Sequence, residues 1–135
     1  MKWLLVLLVL IPSIASSQTD STKVVITTTE VAPGIYRLFV ENRVAVTVSI
    51  GTDGVLMVDA AYEKTANRLL EEVKTLSQLP LKYLVNTHIH GDHTGGNSII
   101  GKNVDIIAHK HVKDYLGNER IQGEKVIPAL PEYAV

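Results

Sequence analysis

The 135-residue chain contains no cysteine. No disulfide can staple it, no lipid can be attached through a thiol, and any metal it holds must be bound through nitrogen and oxygen. It also lacks an excess of either charge: thirteen basic residues face fourteen acidic ones, a formal charge of −1 with no long run of one sign. That balance offers no footprint for a phosphate backbone and argues against nucleic acid as a partner. No apolar stretch approaches the roughly 20 residues of a membrane-spanning helix, and no internal repeat or low-complexity segment occurs. What is present, 46% hydrophobic and 20% charged residues in a short chain, suffices for one modest core and not for two.

The N-terminus, "MKWLLVLLVLIPSIASSQTD", places Lys2 before an unbroken apolar run from Trp3 to Ile11, followed by Pro12 and small residues. This is the three-part layout of a secretory signal peptide, with Ala15 and Ser17 small enough for cleavage before Gln18. The sequence therefore predicts a signal peptide over residues 1–17, a mature domain over 18–135, a periplasmic or secreted location, and no membrane anchor after cleavage. Loss of Lys2 leaves twelve basic and fourteen acidic residues, a mature charge of −2.

Beyond the cleavage site, "STKVVITTTEVAPGIYRLFV" is rich in β-branched residues and broken by Pro33-Gly34, a turn pair, so it predicts two strands. Next, Val44, Val46, Val48 and Ile50 alternate with Ala45, Thr47 and Ser49, and Asp53-Gly54 turns the chain into the apolar run Val55 to Val58. That pattern is a hairpin with at least one covered face. From Tyr62 the period changes: Tyr62, Ala66, Leu69, Leu70, Val73 and Leu76 fall at spacings of three and four, predicting an amphipathic helix that lasts until Pro80. "LKYLVNT" is a short apolar strand, residues 94–100 begin a short helix, "VDIIAH" is a further strand, and "KHVKDYLG" is a helix closed by Gly117. The tail "NERIQGEKVIPALPEYAV" has no strong period and reads as a loop.

The strand "LKYLVNT" leads into three histidines and an aspartate within six positions: His88, His90, Asp92 and His93. Neutral imidazole and carboxylate suit zinc and similar divalent ions, whereas such groups crowded together without a metal meet mainly unfavourable electrostatics. His88 and His90, two apart on an extended segment, project to one side and can share an ion. Gly91 lets the chain bend, and Asp92 and His93 then face a neighbouring position, where a second ion about 3.5–4 Å from the first is the spacing of two-metal hydrolases.

These residues carry a resemblance. "THIHGDHTGGN" matches the His-x-His-x-Asp-His signature of the metallo-β-lactamase superfamily. The order before it, strands, a hairpin ending in "LMVDAAY", an amphipathic helix and a strand, resembles the N-terminal half of that family's αββα sandwich. The resemblance implies an α/β fold with a mixed β-sheet and flanking helices. It implies that His88 and His90 bind one zinc and that Asp92 and His93 bind the other, with Asp92 counted as catalytic as well as a ligand. Asp59, at the end of "VLMVD", matches the acidic residue that supports the metal loop from behind; an N-cap for the following helix is its alternative role. The implied reaction is attack of a zinc-bound hydroxide on a lactam, ester or thioester bond of a small molecule. His93 stands where one lactamase subclass carries arginine, so the chain resembles the members with histidine there. His109 and His111 match no ligand position of the family, and a structural or exposed role is expected for both.

The chain departs from the family in one respect. A complete member draws a further histidine, a bridging aspartate and a last histidine from its C-terminal half, and no histidine follows His111 here. Two protein ligands per metal fall short of the three that a catalytic zinc keeps. The expectation is thus a C-terminally incomplete domain whose 135 residues are inactive alone, either part of a zinc hydrolase or a non-catalytic metal-binding module completed by a second chain. Export is tested first: mass spectrometry of the protein expressed in a bacterial host should find a mature chain beginning near Gln18. Recovery of only the intact Met1 form from the soluble cytoplasm would refute it.

Overall fold

The strand propensity of the first segments and the Pro33-Gly34 turn produce an antiparallel hairpin, β1 (Ile26–Ala32) and β2 (Ile35–Val40). Gly34 sits at φ +73°, a conformation in which a side chain would be strained. In this computed structural model residues 24–119 and 133–134 are described; the expected signal segment and its cleavage site lie outside them. β3 (Val44–Ile50) continues the meander, with Val44, Val46 and Val48 buried as the alternation predicts, and turns through Gly51–Gly54 into β4 (Val55–Val58). At that turn Lys82 Nζ donates to Asp53 Oδ2 over 2.6 Å, and this hydrogen bond holds the Asp53 carboxyl below its ordinary range.

After β4 the pairing changes sense. The helix α1 (Ala66–Leu76) carries the chain back so that β5 (Leu81–Asn86) lies parallel to β4. Two short helices, α2 (Gly91–Thr94) and α3 (Asn97–Ile100), precede β6 (Asp105–Ala108), parallel to β5, and α4 (Lys110–Glu119) follows. β7 (Tyr133–Ala134) pairs parallel with β6. The seven strands run in sequence order across one mixed sheet, antiparallel through β4 and parallel beyond it. The parallel half places the C-terminal ends of β4, β5 and β6 along one edge.

Five details differ from the sequence expectation. The helix expected from Tyr62 begins instead with a 3₁₀ turn, Glu63–Thr65, because Tyr62 is extended (φ −84°, ψ 151°). It also ends before Pro80: Ser77 leaves the helix at φ −154°, and its hydroxyl accepts the Leu79 N–H, a local turn that competes with the helical ladder. Helical structure near the histidines starts at Gly91 rather than residue 94, so Asp92 and His93 ride on a helical turn. Gly117 does not close α4, which runs on to Glu119; it lacks the positive φ of a C-terminal glycine cap. Tyr133–Ala134, expected as loop, form a strand.

The core lies on one face of the sheet. Leu38, Val40, Val46, Val48, Met57, Leu84 and Ile106 pack there against Ala66, Leu69 and Val73 of α1 and Ile100 of α3. Each such aliphatic side chain contributes about 1.5–3 kcal/mol on burial. α4 seats Val112 and Leu116 on Ala108, with Ile89 packed alongside. On the opposite face Ile35 and Tyr83 are exposed.

Between sheet and helices the backbones of two loops touch. Ala60 N donates to His93 O over 2.8 Å and Gly96 N to Ala61 O over 3.1 Å. A Cβ on Gly96 would fall on the carbonyl oxygen of Ala60. Gly96→Ala should therefore destabilise by about 3 kcal/mol, the upper part of the overpacking range, in urea unfolding. Gly117→Ala, with open space around the position, should instead gain about 0.5 kcal/mol from helix propensity.

Candidate metal centre

β5 ends at Asn86, and Thr87 to His90 continue it as a short loop at the parallel edge of the sheet. His90 is the N-cap of α2, extended at φ −63°, ψ 143°, and its carbonyl accepts from His93 N (2.9 Å) and Thr94 N (3.0 Å). This cap turns the chain so that Asp92 and His93 come back toward His88. His90 is exposed while His88, Asp92 and His93 are half-buried. The ring centroids of His88 and His93 are 4.0 Å apart, and those of His88 and His90 4.7 Å.

The nitrogen and oxygen atoms meet in two pairs. His88 Nε2 lies 3.1 Å from His90 Nδ1, and His93 Nε2 lies 3.5 Å from Asp92 Oδ2. Two ligands each about 2.1 Å from a tetrahedral zinc stand about 3.4 Å apart. Both pairs are thus at chelate spacing, and their donor chemistry suits zinc. Among the described residues, however, no group of three or more His, Asp or Glu side chains is arranged to hold one ion. The side chains present fit a metal two at a time.

Asp59 organises both pairs. It stands just after β4, only 4% exposed, at φ +66°. Its carboxylate accepts from Thr87 N (2.9 Å), from the Thr87 hydroxyl (2.8 Å to Oδ2) and from His93 Nδ1 (2.7 Å). The alternative N-cap role is not observed, since neither Tyr62 nor Thr65, which begin the two helical turns, receives a side-chain cap. Because a carboxylate only accepts, His93 Nδ1 carries a proton, and Nε2 is the ring nitrogen directed at Asp92. The same logic reaches His88 at one remove. The Thr87 hydroxyl gives its hydrogen to Asp59, so at 2.9 Å it must accept from His88 Nδ1, which leaves His88 Nε2 to accept from His90 Nδ1 over 3.1 Å.

Thr87 was not singled out by sequence reasoning; no spacing rule marks a hydroxyl next to a ligand. His109 and His111 take no part in the cluster. His109 immediately precedes α4, where its Nδ1 accepts from His111 N (3.3 Å) and its carbonyl from Val112 N (2.8 Å), and the two exposed rings stack at 4.9 Å. Two shallow depressions, about 180 Å³ beside Asp53 and Lys82 and about 430 Å³ beside Pro80 and Asn103, lie at the other end of β5 and include no histidine.

A family model described as the metallo-beta-lactamase superfamily matches residues 40–125, well over half of the chain. The chain belongs to that superfamily. Solved members share its fold. A subclass B3 metallo-beta-lactamase of Bradyrhizobium japonicum is 24% identical, with a TM-score of 0.66 over 80% of this chain and 44% of that one. A metallo-beta-lactamase of Pseudomonas aeruginosa in its mono-zinc form is 18% identical, with a TM-score of 0.62 over 82% and 50%. One from Hirschia baltica is 17% identical, with a TM-score of 0.64 over 82% and 52%. The mixed sheet with its flanking helices therefore corresponds to the N-terminal part of the αββα sandwich, and the chain spans about half the length of these superfamily structures. No curated protein sequence matches the chain.

The tautomer argument is directly testable. Long-range 1H–15N spectra of the metal-free protein near neutral pH should show His88 and His93 as Nδ1–H tautomers. Thr87→Val should release His88 into a tautomer mixture while leaving His93 unchanged; a His88 signal unaffected by that substitution would remove the relay.

Proposed function

We propose that this chain is a metal-binding module of a zinc-dependent hydrolase, carrying half of a two-metal site and inactive until further ligands complete it. His88 and His90 hold one ion, Asp92 and His93 the other. The observation that carries this reading is the pair of chelate spacings, 3.1 and 3.5 Å, on one loop where Thr87 and Asp59 engage Nδ1 of His88 and of His93. The module reading is favoured over an active enzyme because the described residues offer two donors per ion and no group of three, whereas a catalytic zinc keeps three protein ligands.

Bound zinc supplies Lewis-acid polarisation and activates water. The chain's own residues supply the rest. His88 Nε2 and His93 Nε2 would be the ligand atoms of those two rings, and Asp59 keeps the His93 ring from rotating. Asp92, the only carboxylate on the loop, ligates through one oxygen and can take a proton through its remaining lone pairs, which is the catalytic role assigned to it. In the completed protein the substrate is a small molecule with a lactam, ester or thioester bond. The superfamily membership supports that class, and the structural likeness to metallo-beta-lactamases favours a β-lactam. The signal layout over residues 1–17, ahead of a domain over 18–135, supports a periplasmic or secreted location, where such compounds arrive.

The test compares zinc titration and turnover for the 135-residue chain, for His88→Ala, and for the chain supplemented with a polypeptide bearing a further histidine and aspartate set. The chain alone should bind zinc weakly, His88→Ala should weaken binding by at least about tenfold, and hydrolysis of β-lactam or ester should match free zinc until the supplement is added. Robust zinc-dependent turnover by the 135 residues alone, abolished by His88→Ala, would overturn the module reading.

A further inference from the structure

The stretch that holds the four candidate ligands begins and ends with asparagine, Asn86 and Asn97. Asn86 is the last residue of β5 and Asn97 the first of α3. Their side chains form a reciprocal amide pair: Asn86 Nδ2 donates to Asn97 Oδ1 over 3.1 Å, and Asn97 Nδ2 donates to Asn86 Oδ1 over 2.7 Å. Asn86 is 3% exposed and Asn97 0%. We infer that this buried pair is a positioning clamp for the metal loop, setting the separation and rotation of its two ends so that the ligand pairs keep chelate spacing.

The inference rests on the metal reading above and follows from what an amide pair does that an apolar contact does not. Two leucines could fill the same space at little net cost, because replacing both partners of a buried hydrogen bond by apolar groups of similar shape is nearly neutral. Dispersion contacts, though, tolerate sliding and rotation, whereas two antiparallel N–H···O bonds fix both. Asn86 adjoins Thr87, which carries the Asp59 relay to His88. Asn97 adjoins Gly96, whose N–H is bonded to Ala61 on the far side of the loop. A rotation of either asparagine therefore moves an anchored neighbour, and at Asn86 that neighbour is the partner of His88. Neither asparagine touches a ligand atom, so each acts through the backbone.

Cobalt(II), whose visible absorption reports ligand geometry, is titrated into the full 135-residue chain, Asn86→Thr, Asn86→Val and the double variant Asn86→Leu/Asn97→Leu. Thr and Val have the same shape, but only the Thr hydroxyl can meet the Asn97 amide. Asn86→Thr should stay within about threefold of the unsubstituted chain, and Asn86→Val should lose about 10–100-fold in affinity with an altered spectrum. In the metal-free proteins, backbone order parameters over residues 87–96 should remain near about 0.85 with Thr and fall toward about 0.6 with Val, while β5 stays ordered. If the unsubstituted chain binds no cobalt, the metal reading fails, and the metal-free order parameters alone decide the clamp. Identical behaviour of Thr and Val overturns it. Should the Val variant fail to fold, the double Leu variant, which leaves no amide unpaired, decides. A folded protein with a disordered loop supports the clamp, and a folded protein with an ordered loop overturns it. Loss of the fold in both makes the amides a requirement of the core and overturns the positioning role.

Discussion

The Asp59 carboxylate is the contact on which the histidine loop depends. A carboxylate taken out of water is tolerated only when its lone pairs are filled, and at 4% exposure Asp59 fills them with Thr87 N, the Thr87 hydroxyl and His93 Nδ1. The three donors come from Thr87 and His93, so satisfying one buried carboxylate draws the beginning and the middle of the loop to the same point. That requirement is met by topology. β4 and β5 are parallel neighbours, and Asp59 N is bonded to Val85 O over 2.8 Å, so the residues following the two strands emerge side by side.

Bringing the segments this close has backbone consequences. Asp59 and Ala61 both adopt left-handed φ, 66° and 51°, a conformation costing on the order of 1 kcal/mol for residues other than glycine. The strain is held by the bonds from Ala60 to His93 and from Gly96 to Ala61, and room for them exists because positions 95 and 96 lack side chains. The two glycines of "HTGGN" are thus part of the site's construction. Without a bare backbone there, Asp59 could not lie under His93.

Much of this was legible in the sequence, and the reasons are specific. The hairpins follow from the Val44–Val48 alternation and the Pro33-Gly34 and Asp53-Gly54 turns, because strand faces and turn geometry are local properties. The apolar stripe of α1 was legible for the same reason, but its ends were not. Ser77 stops the helix with a side-chain bond that periodicity does not register, and Tyr62 is extended, which its place in the apolar stripe does not reveal. The proximity of His88, His90, Asp92 and His93 was readable because they are close in sequence. The roles of Thr87, Asn86 and Asn97 were not, since each depends on a partner 11 or 28 residues away. Tyr133–Ala134 escaped because two residues carry no period and their pairing partner is a strand far back in the chain.

The division of the donors into pairs explains why a loop can be well prepared for metal and still be chemically incomplete. Ligands one or two residues apart share an ion with little loss of chain entropy, and here Nδ1 of His88 and of His93 are already engaged by Thr87 and Asp59. Two donors nevertheless define only a line of approach: an ion between them remains free to swing about the axis joining them, and a water on it has no fixed direction. A third ligand removes that rotation, and it must come from outside the loop, because the remaining contacts of the loop residues are committed to Asp59 and to backbone carbonyls. The rigidity that sets the first two ligands is thus what prevents the same loop from bending round to supply the third.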